Sequence, residues 1–502
     1  MVRKKIVLTN SISGVCQLTV TALLTFFSIP IFINKLGTEL YGIFALVSVI
    51  GNLNLFTNLG LDISLTKYIA EQGKCNESNK DIIASLGLTF CTVLPISTII
   101  YLYHHYLLTD LLGIPLIYYE QAKKLFFSLL MANVMLLIGQ PFVAVLNGLQ
   151  RIYLSNLIQL IYSIIYWLGT IVVLLLGYRL EHIGKVILSA SFVWFIFIIC
   201  FFLYHWGKIS IIHSLENITL NIKKQVKYGT KIYASGIISF LNEPLFKIII
   251  SNVFGISAVA YFEIALKIRG QVTGLFSKIM QPLFPYISQL TDIQNISRLV
   301  KEITIKTLFL VLPVCGILLL SCRDIVMLWL RTDIYNYTLF INGIVVPYLV
   351  FSPLTLPIYM YLMAKGHPEK TIVIQLLSVI VNILSFYSFY YFLGIYTIIV
   401  SNILSYLASF LLGVYYQYIY LNIKYHPIKR DYINFFILII AYIIVGYFQR
   451  LINNELISIA FVAILILVVT LKLYKRLAII NRNDITHYFL DNKIIVSFYN
   501  KL

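Results

Sequence analysis

Residues 1–33 read MVRKKIVLTNSISGVCQLTVTALLTFFSIPIFI: a cluster of cations, then an apolar run from Ile6 to Ile33. The run exceeds the ~20 residues that an α-helix needs to cross hydrocarbon. It is too long for a secretory leader, and no small-residue cleavage pattern follows Pro30. It reads as a first membrane span, with Arg3, Lys4 and Lys5 holding the N-terminus in the cytoplasm.

Runs of this kind recur to the far end of the chain. Hydrophobic residues make up 60% of the 502 and charged residues only 12%, with mean hydropathy +0.89. A soluble domain carries about a quarter charged residues, so this chain could not cover its own surface in water. Spans are expected at about 7–33, 40–62, 81–104, 121–147, 153–178, 183–206, 232–255, 258–287, 303–322, 337–363, 369–393, 396–421, 432–449 and 456–474. The predicted fold class is therefore all-α integral membrane, with about 14 transmembrane helices.

The net charge of +18 is explained by where the cations fall. Loops on the N-terminal side of the membrane hold Lys67, Lys74, Lys80, Arg151, Lys223, Lys224, Lys227, Lys365, Lys370 and others, and the tail beyond Lys472 is basic too. Outer loops hold only Lys35, Arg179, Arg323, Arg331 and Arg450. This asymmetry fixes the orientation, with both termini inside, and removes the reason to invoke nucleic acid. Basic loops can also meet anionic headgroups, making membrane lipids expected partners.

Several chemistries lack their motifs. The sequence has no GxxxxGK[ST] loop, HExxH, GxSxG or DxD. The six cysteines form no CxxC pair and read as small apolar core residues. His104 and His105 are adjacent, a spacing that suits one metal poorly. No catalytic residue, metal site or cofactor is expected, and short outer connections leave little room for an enzyme site.

The chain also repeats. Asn34-x-x-Gly37, Tyr41 and Ala45-Leu46 recur as Asn252-x-x-Gly255, Tyr261 and Ala265-Leu266. Ser13-Gly14 and Ser235-Gly236 stand on the preceding helix of each copy. Between them runs a basic polar stretch that reads as an amphipathic interfacial helix. The expected organisation is a six-helix lobe over 1–206, a cytoplasmic linker over 207–231, a second six-helix lobe over 232–421, and two extra helices with a tail over 422–502. Transporters built on such repeats place their substrate between the halves near the midplane.

NKLGTELYGIFALVSVIGNLNLFTNLGLDISLTKYIAE in the first half resembles the polysaccharide-biosynthesis flippases, the Wzx-type transporters. So do NVFGISAVAYFEIALKIRGQVTGLFSKIMQPLFPYISQL, Leu149-Gln150-Arg151 and Met363-Ala364-Lys365-Gly366. The resemblance implies membership of the multidrug/oligosaccharidyl-lipid/polysaccharide exporter superfamily. It further implies transfer of an undecaprenyl-diphosphate-linked O-antigen or capsule unit to the outer leaflet of the bacterial inner membrane. A polysaccharide polymerase and chain-length proteins are the partners it implies.

A sugar head needs a polar cavity and a diphosphate a cationic one. In the eighth span Glu263, Lys267, Gly270, Gly274 and Lys278 lie on one helix face. Arg269 points about 200° away from Lys267. The seventh span adds Glu243 and Lys247 with Pro244 between them. An ionised group at the bilayer centre costs about 2.5–3.5 kcal/mol on insertion scales, so these groups should face protein or water. Lys247, Lys267, Arg269 and Lys278 are the expected cavity cations. Glu243 and Glu263 are candidates for coupling to a proton or sodium gradient, and Pro244, Pro282 and Pro285 are expected hinges. The alternative is that Glu243–Lys247 and Glu263–Lys267 are in-helix ion pairs that neutralise themselves. Rival functions are a multidrug efflux antiporter of the same superfamily, a lipid II flippase and a membrane-embedded polysaccharide polymerase.

Overall fold

The computed structural model describes residues 2–49, 60–207, 218–280, 287, 290, 292–423, 440–449, 451–452 and 454–476. Pro282 and Pro285 lie outside the described residues, as does the side chain of Lys278. All elements among the described residues are helical. Among the described residues, nine stretches are long and apolar enough to cross a membrane, and three shorter apolar helices accompany them. One stretch, Glu369–Leu421, is two helices joined by a turn of 3₁₀ helix at Gly394–Tyr396. Hydrocarbon offers no hydrogen bonds, so a spanning backbone must satisfy its own polar groups, and a helix does so within one segment.

The chain forms two compact units, residues 1–263 and 264–502. In the first, α1 (Val2–Val47) runs through Pro30 and kinks at Gly37. It is followed by α2 (Leu61–Gln72), α3 (Asn76–Leu102), α4 (Tyr119–Gly148), α5 (Ile152–Leu175) and α6 (Leu180–His205). Helix α4 is the axis of this unit, packing on α2, α3 and α6. Leu65, Ile69, Ile82, Val145, Phe202 and Trp206 close one apolar cluster around it. Leu146, Ile158, Trp194 and Ile198 close a second with α5. The outward faces carry large apolar side chains such as Phe27, Tyr101 and Leu175, as a lipid-facing surface requires.

Four of the six cysteines depart from the expected core role. Cys16, Cys75, Cys91 and Cys200 are exposed, while Cys315 and Cys322 are buried. Cys16, Cys91 and Cys200 lie on spanning helices, where a small apolar residue is equally at home against lipid, whereas Cys75 stands in the connection before α3.

The basic linker does not stop where the seventh expected span begins. Helix α7 runs unbroken from Ile218 to Asn242. Its first turns pack on α2 and α3 through a polar cluster. Asp81 is fully buried, accepts a hydrogen bond from Asn221 at 2.8 Å, and lies 3.5 Å from Lys224 Nζ. Gln225 donates to the Asp81 carbonyl at 2.6 Å, and Lys224 sits 3.6 Å over the Tyr68 ring. Lys224 of α7 is thus held by a carboxylate and a π-face, a role beyond topology. Asp81→Ala is expected to lower stability by ~2–3 kcal/mol, below the full buried-pair cost because Lys224 is half-exposed. Thermal unfolding in detergent reads this directly.

In the second unit, α10 (Ile293–Trp329), α11 (Ile334–Ala364), α12 (Pro368–Leu393) and α13 (Thr397–Leu421) are joined by α14 (Ile440–Gln449) and α15 (Glu455–Arg476). Helix α10 packs on α11 and α15, and α13 on α11 and α12. Ile296, Val300, Ile358, Leu362, Ile374 and Tyr416 form its main apolar cluster. Val445, Val462 and Ile466 close a smaller one between α14 and α15.

Candidate functional site

The seventh expected span is broken in the middle. Helix α7 ends at Asn242, Glu243 is the N-cap residue, and α8 (Pro244–Phe254) opens with Pro244 at its first position. Proline has no N–H to offer a preceding turn but suits a helix start, so the break falls where the sequence places it. Helix α8 then turns into α9 (Ile256–Met280) at a single residue, Gly255 (φ 81°, ψ 177°). Gly37, its counterpart in the other copy of the motif, has nearly the same conformation (φ 80°, ψ 168°). Positive φ there is costly for any residue with a Cβ, which accounts for glycine at both positions.

The tight α8–α9 turn decides the ion pairing. Lys247 and Glu263 stand equally far from Gly255 on either side, so the hairpin brings them to one level. Lys247 Nζ lies 2.5 Å from Glu263 Oε2, with the side chains only 12% and 13% exposed. Phe246 and Phe262 pack edge to face beside them at 5.5 Å. The pair bridges two helices, a pairing that neither the cavity expectation nor the alternative of in-helix pairs included. Glu243 and Lys267 are each engaged in further interactions.

The two motif copies meet in this first unit. The Cα of Gly42 is so close to α9 that a Cβ there would stand 2.4 Å from the Ile256 carbonyl oxygen. At the end of α8, Ser251 donates to the Leu112 carbonyl at 2.7 Å, and Asn252 to the Leu111 carbonyl at 2.8 Å. The motif asparagine of the second copy therefore ties the α8–α9 turn to the segment after α3.

In the second unit, α9 carries Arg269 into an aromatic setting. Its Nη1 donates to the Tyr406 hydroxyl at 2.8 Å, and the guanidinium carbon lies 5.2 Å from the Tyr348 ring centre. The two rings meet edge to face at 5.4 Å, Thr273 donates to Tyr348 at 3.1 Å, and Tyr406 donates to Asn402 at 3.3 Å. Arg269 is thus oriented by α11 and α13, and stacking on tyrosine lets a guanidinium stay charged with little water. Reading the sequence one helix at a time did not find these tyrosines. Gly270 and Gly274 follow on α9, and a Cβ at either would meet nothing within 4 Å among the described residues. Here glycine opens a face rather than a close contact.

What the arrangement can do follows from these parts. In the second unit, Arg269 is held by Tyr348 and Tyr406, and the glycine-lined stretch of α9 is open where a Cβ would meet nothing within 4 Å among the described residues. Such a surface can meet an anion without a strongly hydrated ammonium at every step.

Comparison with known proteins agrees with this architecture. The profile of the family described as polysaccharide biosynthesis protein matches residues 7–291. No curated protein matches the sequence. Among solved structures, the lipid II flippase MurJ in an inward closed conformation has TM-score 0.72 at 16% identity, covering 93% of this chain and 100% of that one. An inward-facing multidrug resistance MATE family transporter has TM-score 0.67 at 15% identity, covering 82% and 98%. The Vibrio cholerae MATE transporter VcmN in its bent form has TM-score 0.55 at 14% identity, covering 84% and 97%. At these identities the likeness is one of fold.

Proposed function

This chain belongs to the polysaccharide biosynthesis protein family, and from that premise we propose that it flips undecaprenyl-diphosphate-linked oligosaccharide units, of the O-antigen or capsule kind, across the bacterial inner membrane. The fold it shares with a lipid flippase and with multidrug transporters is compatible with more than one cargo. The observation that supports this cargo is α9, where Lys267 shares a helix face with the open positions Gly270 and Gly274 and Arg269 adds a second cation on another side of the same helix. Cations repel the organic cations an efflux antiporter would carry and attract a diphosphate. The cargo's head slides past this face while its tail stays in lipid, as two halves alternate between inward and outward access. No chemistry on the cargo is required of the protein.

Glu263 is the favoured coupling group. Protonation would remove the partner of Lys247 and free that cation for the cargo. Glu243, at the break between α7 and α8, is the second candidate. A polymerase and chain-length proteins would receive the flipped unit.

The test uses a strain lacking its own flippase. Lys267→Ala combined with Lys278→Ala is expected to cut surface polysaccharide at least about tenfold, equivalent to 1.4 kcal/mol, at normal protein level. Full export by this variant would overturn the assignment. Gly270→Trp makes the complementary case. It fills open space, so protein level and thermal stability should be unchanged while export fails. If it exports normally, that face does not line the path.

A further inference from the structure

Between α10, α14 and α15 lies a cleft of about 800 Å³. Helix α10 ends at Trp329, α14 at Gln449, and α15 begins at Glu455, so the cleft sits at one membrane boundary. The loop charges assign that boundary to the outside. The lining is divided chemically. Leu319 and Tyr447 are large, apolar and more than half exposed, as side chains facing lipid are. At the other end stand Arg323, exposed, and Asp324, half-buried.

The carboxylate of Asp324 is built into the fold. Gln449 Nε2 donates to its Oδ2 at 2.9 Å, and Ser458 donates to the same oxygen. These bonds clamp α10 to both C-terminal helices and fix the carboxylate's direction. Among the described residues, Oδ1 accepts no hydrogen bond. A fixed anion with an unused oxygen thus adjoins a guanidinium, at the membrane interface, above an apolar wall.

We propose that this cleft binds a zwitterionic phospholipid whose headgroup carries a phosphate and a primary amine. The phosphate pairs with Arg323, whose planar fork suits phosphate oxygens. The ammonium donates to Asp324 Oδ1. The chains lie along Leu319 and the apolar side of α14, and Tyr447 sits at headgroup depth, where tyrosines are enriched. Opposite charges side by side select this headgroup: an anionic lipid would satisfy Arg323 but face Asp324 unfavourably. The occupant is a resident membrane lipid, and the inference does not depend on which cargo is flipped.

The experiment compares three probe lipids with identical chains, carrying ethanolamine, choline or glycerol headgroups. Full-length protein is reconstituted in mixed micelles containing equal amounts of each, and retained lipid is counted by native mass spectrometry. Ethanolamine lipid is expected to be retained about tenfold over choline lipid, which cannot donate to Oδ1. It should also exceed glycerol lipid. Arg323→Ala and Asp324→Asn should each abolish the preference. The headgroup comparison uses the wild-type chain alone, so it stands even where a variant misfolds. Equal retention of the three lipids overturns the proposal. Preference for the glycerol lipid overturns it too, by identifying a site for anionic phosphate alone. So does an ethanolamine preference that survives both substitutions.

Discussion

Glu263→Ala is expected to destabilise the protein by about 3–5 kcal/mol, the usual cost of removing one partner from a buried ion pair. Lys247 would be left in a site that is 12% exposed, beside Phe246 and Phe262, with its carboxylate gone. Burial makes this charge expensive: no hydration shell replaces the lost partner. Thermal unfolding of the purified protein is the measurement. The swap Lys247→Glu with Glu263→Lys restores opposite charges at the same level of the hairpin and should recover most of the loss. Recovery distinguishes the cross-helix pair from two independent in-helix pairs, in which the swap would place like charges beside Glu243 and Lys267. Glu263→Gln separates structure from coupling. It keeps the shape and removes the titration, so export driven by an ion gradient should fall further than stability does.

Gly42→Val is the second large effect. A Cβ at residue 42 would stand 2.4 Å from a backbone carbonyl oxygen, that of Ile256, and a carbonyl cannot swing aside as a side-chain tip can. The α1 and α9 backbones must therefore separate. Overpacking of this kind costs about 1–3 kcal/mol. Because the contact joins the two motif copies on the expected outer side, the separation should also expose the α8–α9 turn. A cysteine at Val253 should then react faster with a membrane-impermeant maleimide in Gly42→Val than in the parent. Unchanged reactivity together with unchanged stability would show that Gly42 is not a close contact. Gly274→Ala is the control, since its Cβ meets nothing within 4 Å and should be silent in both assays.

Much of the fold was legible because hydrocarbon imposes a one-dimensional rule. Each run of about 20 apolar residues must become a helix whatever its neighbours do. The expected spans accordingly fall on described helices, those near 40–62, 258–287 and 432–449 only over the parts that are described, and that near 232–255 on two helices rather than one. The helix break at Pro244 and the matching glycine turns at Gly37 and Gly255 were legible too, because backbone conformation there follows from residue type. The linker was less so. Its basic residues read as topology, whereas Asp81, distant in sequence, gives Lys224 a specific partner.

The candidate site divides along the same line. The sequence by itself determined which helices carry charge into the membrane, because an intramembrane Lys, Arg or Glu is conspicuous against an apolar background. It could not determine their partners. Spacing along one helix suggested Glu243 with Lys247 and Glu263 with Lys267, but pairing is decided by distance in space. The turn at Gly255 sets Lys247 against Glu263, a pairing across two helices. Equal offsets around a glycine turn were the one signal that could have shown it. Arg269 makes the point most strongly: its partners Tyr348 and Tyr406 belong to helices far along the chain. They are two among 37 tyrosines, and only the reach of Arg269 and Thr273 from α9 to α11 and α13 distinguishes them from the rest.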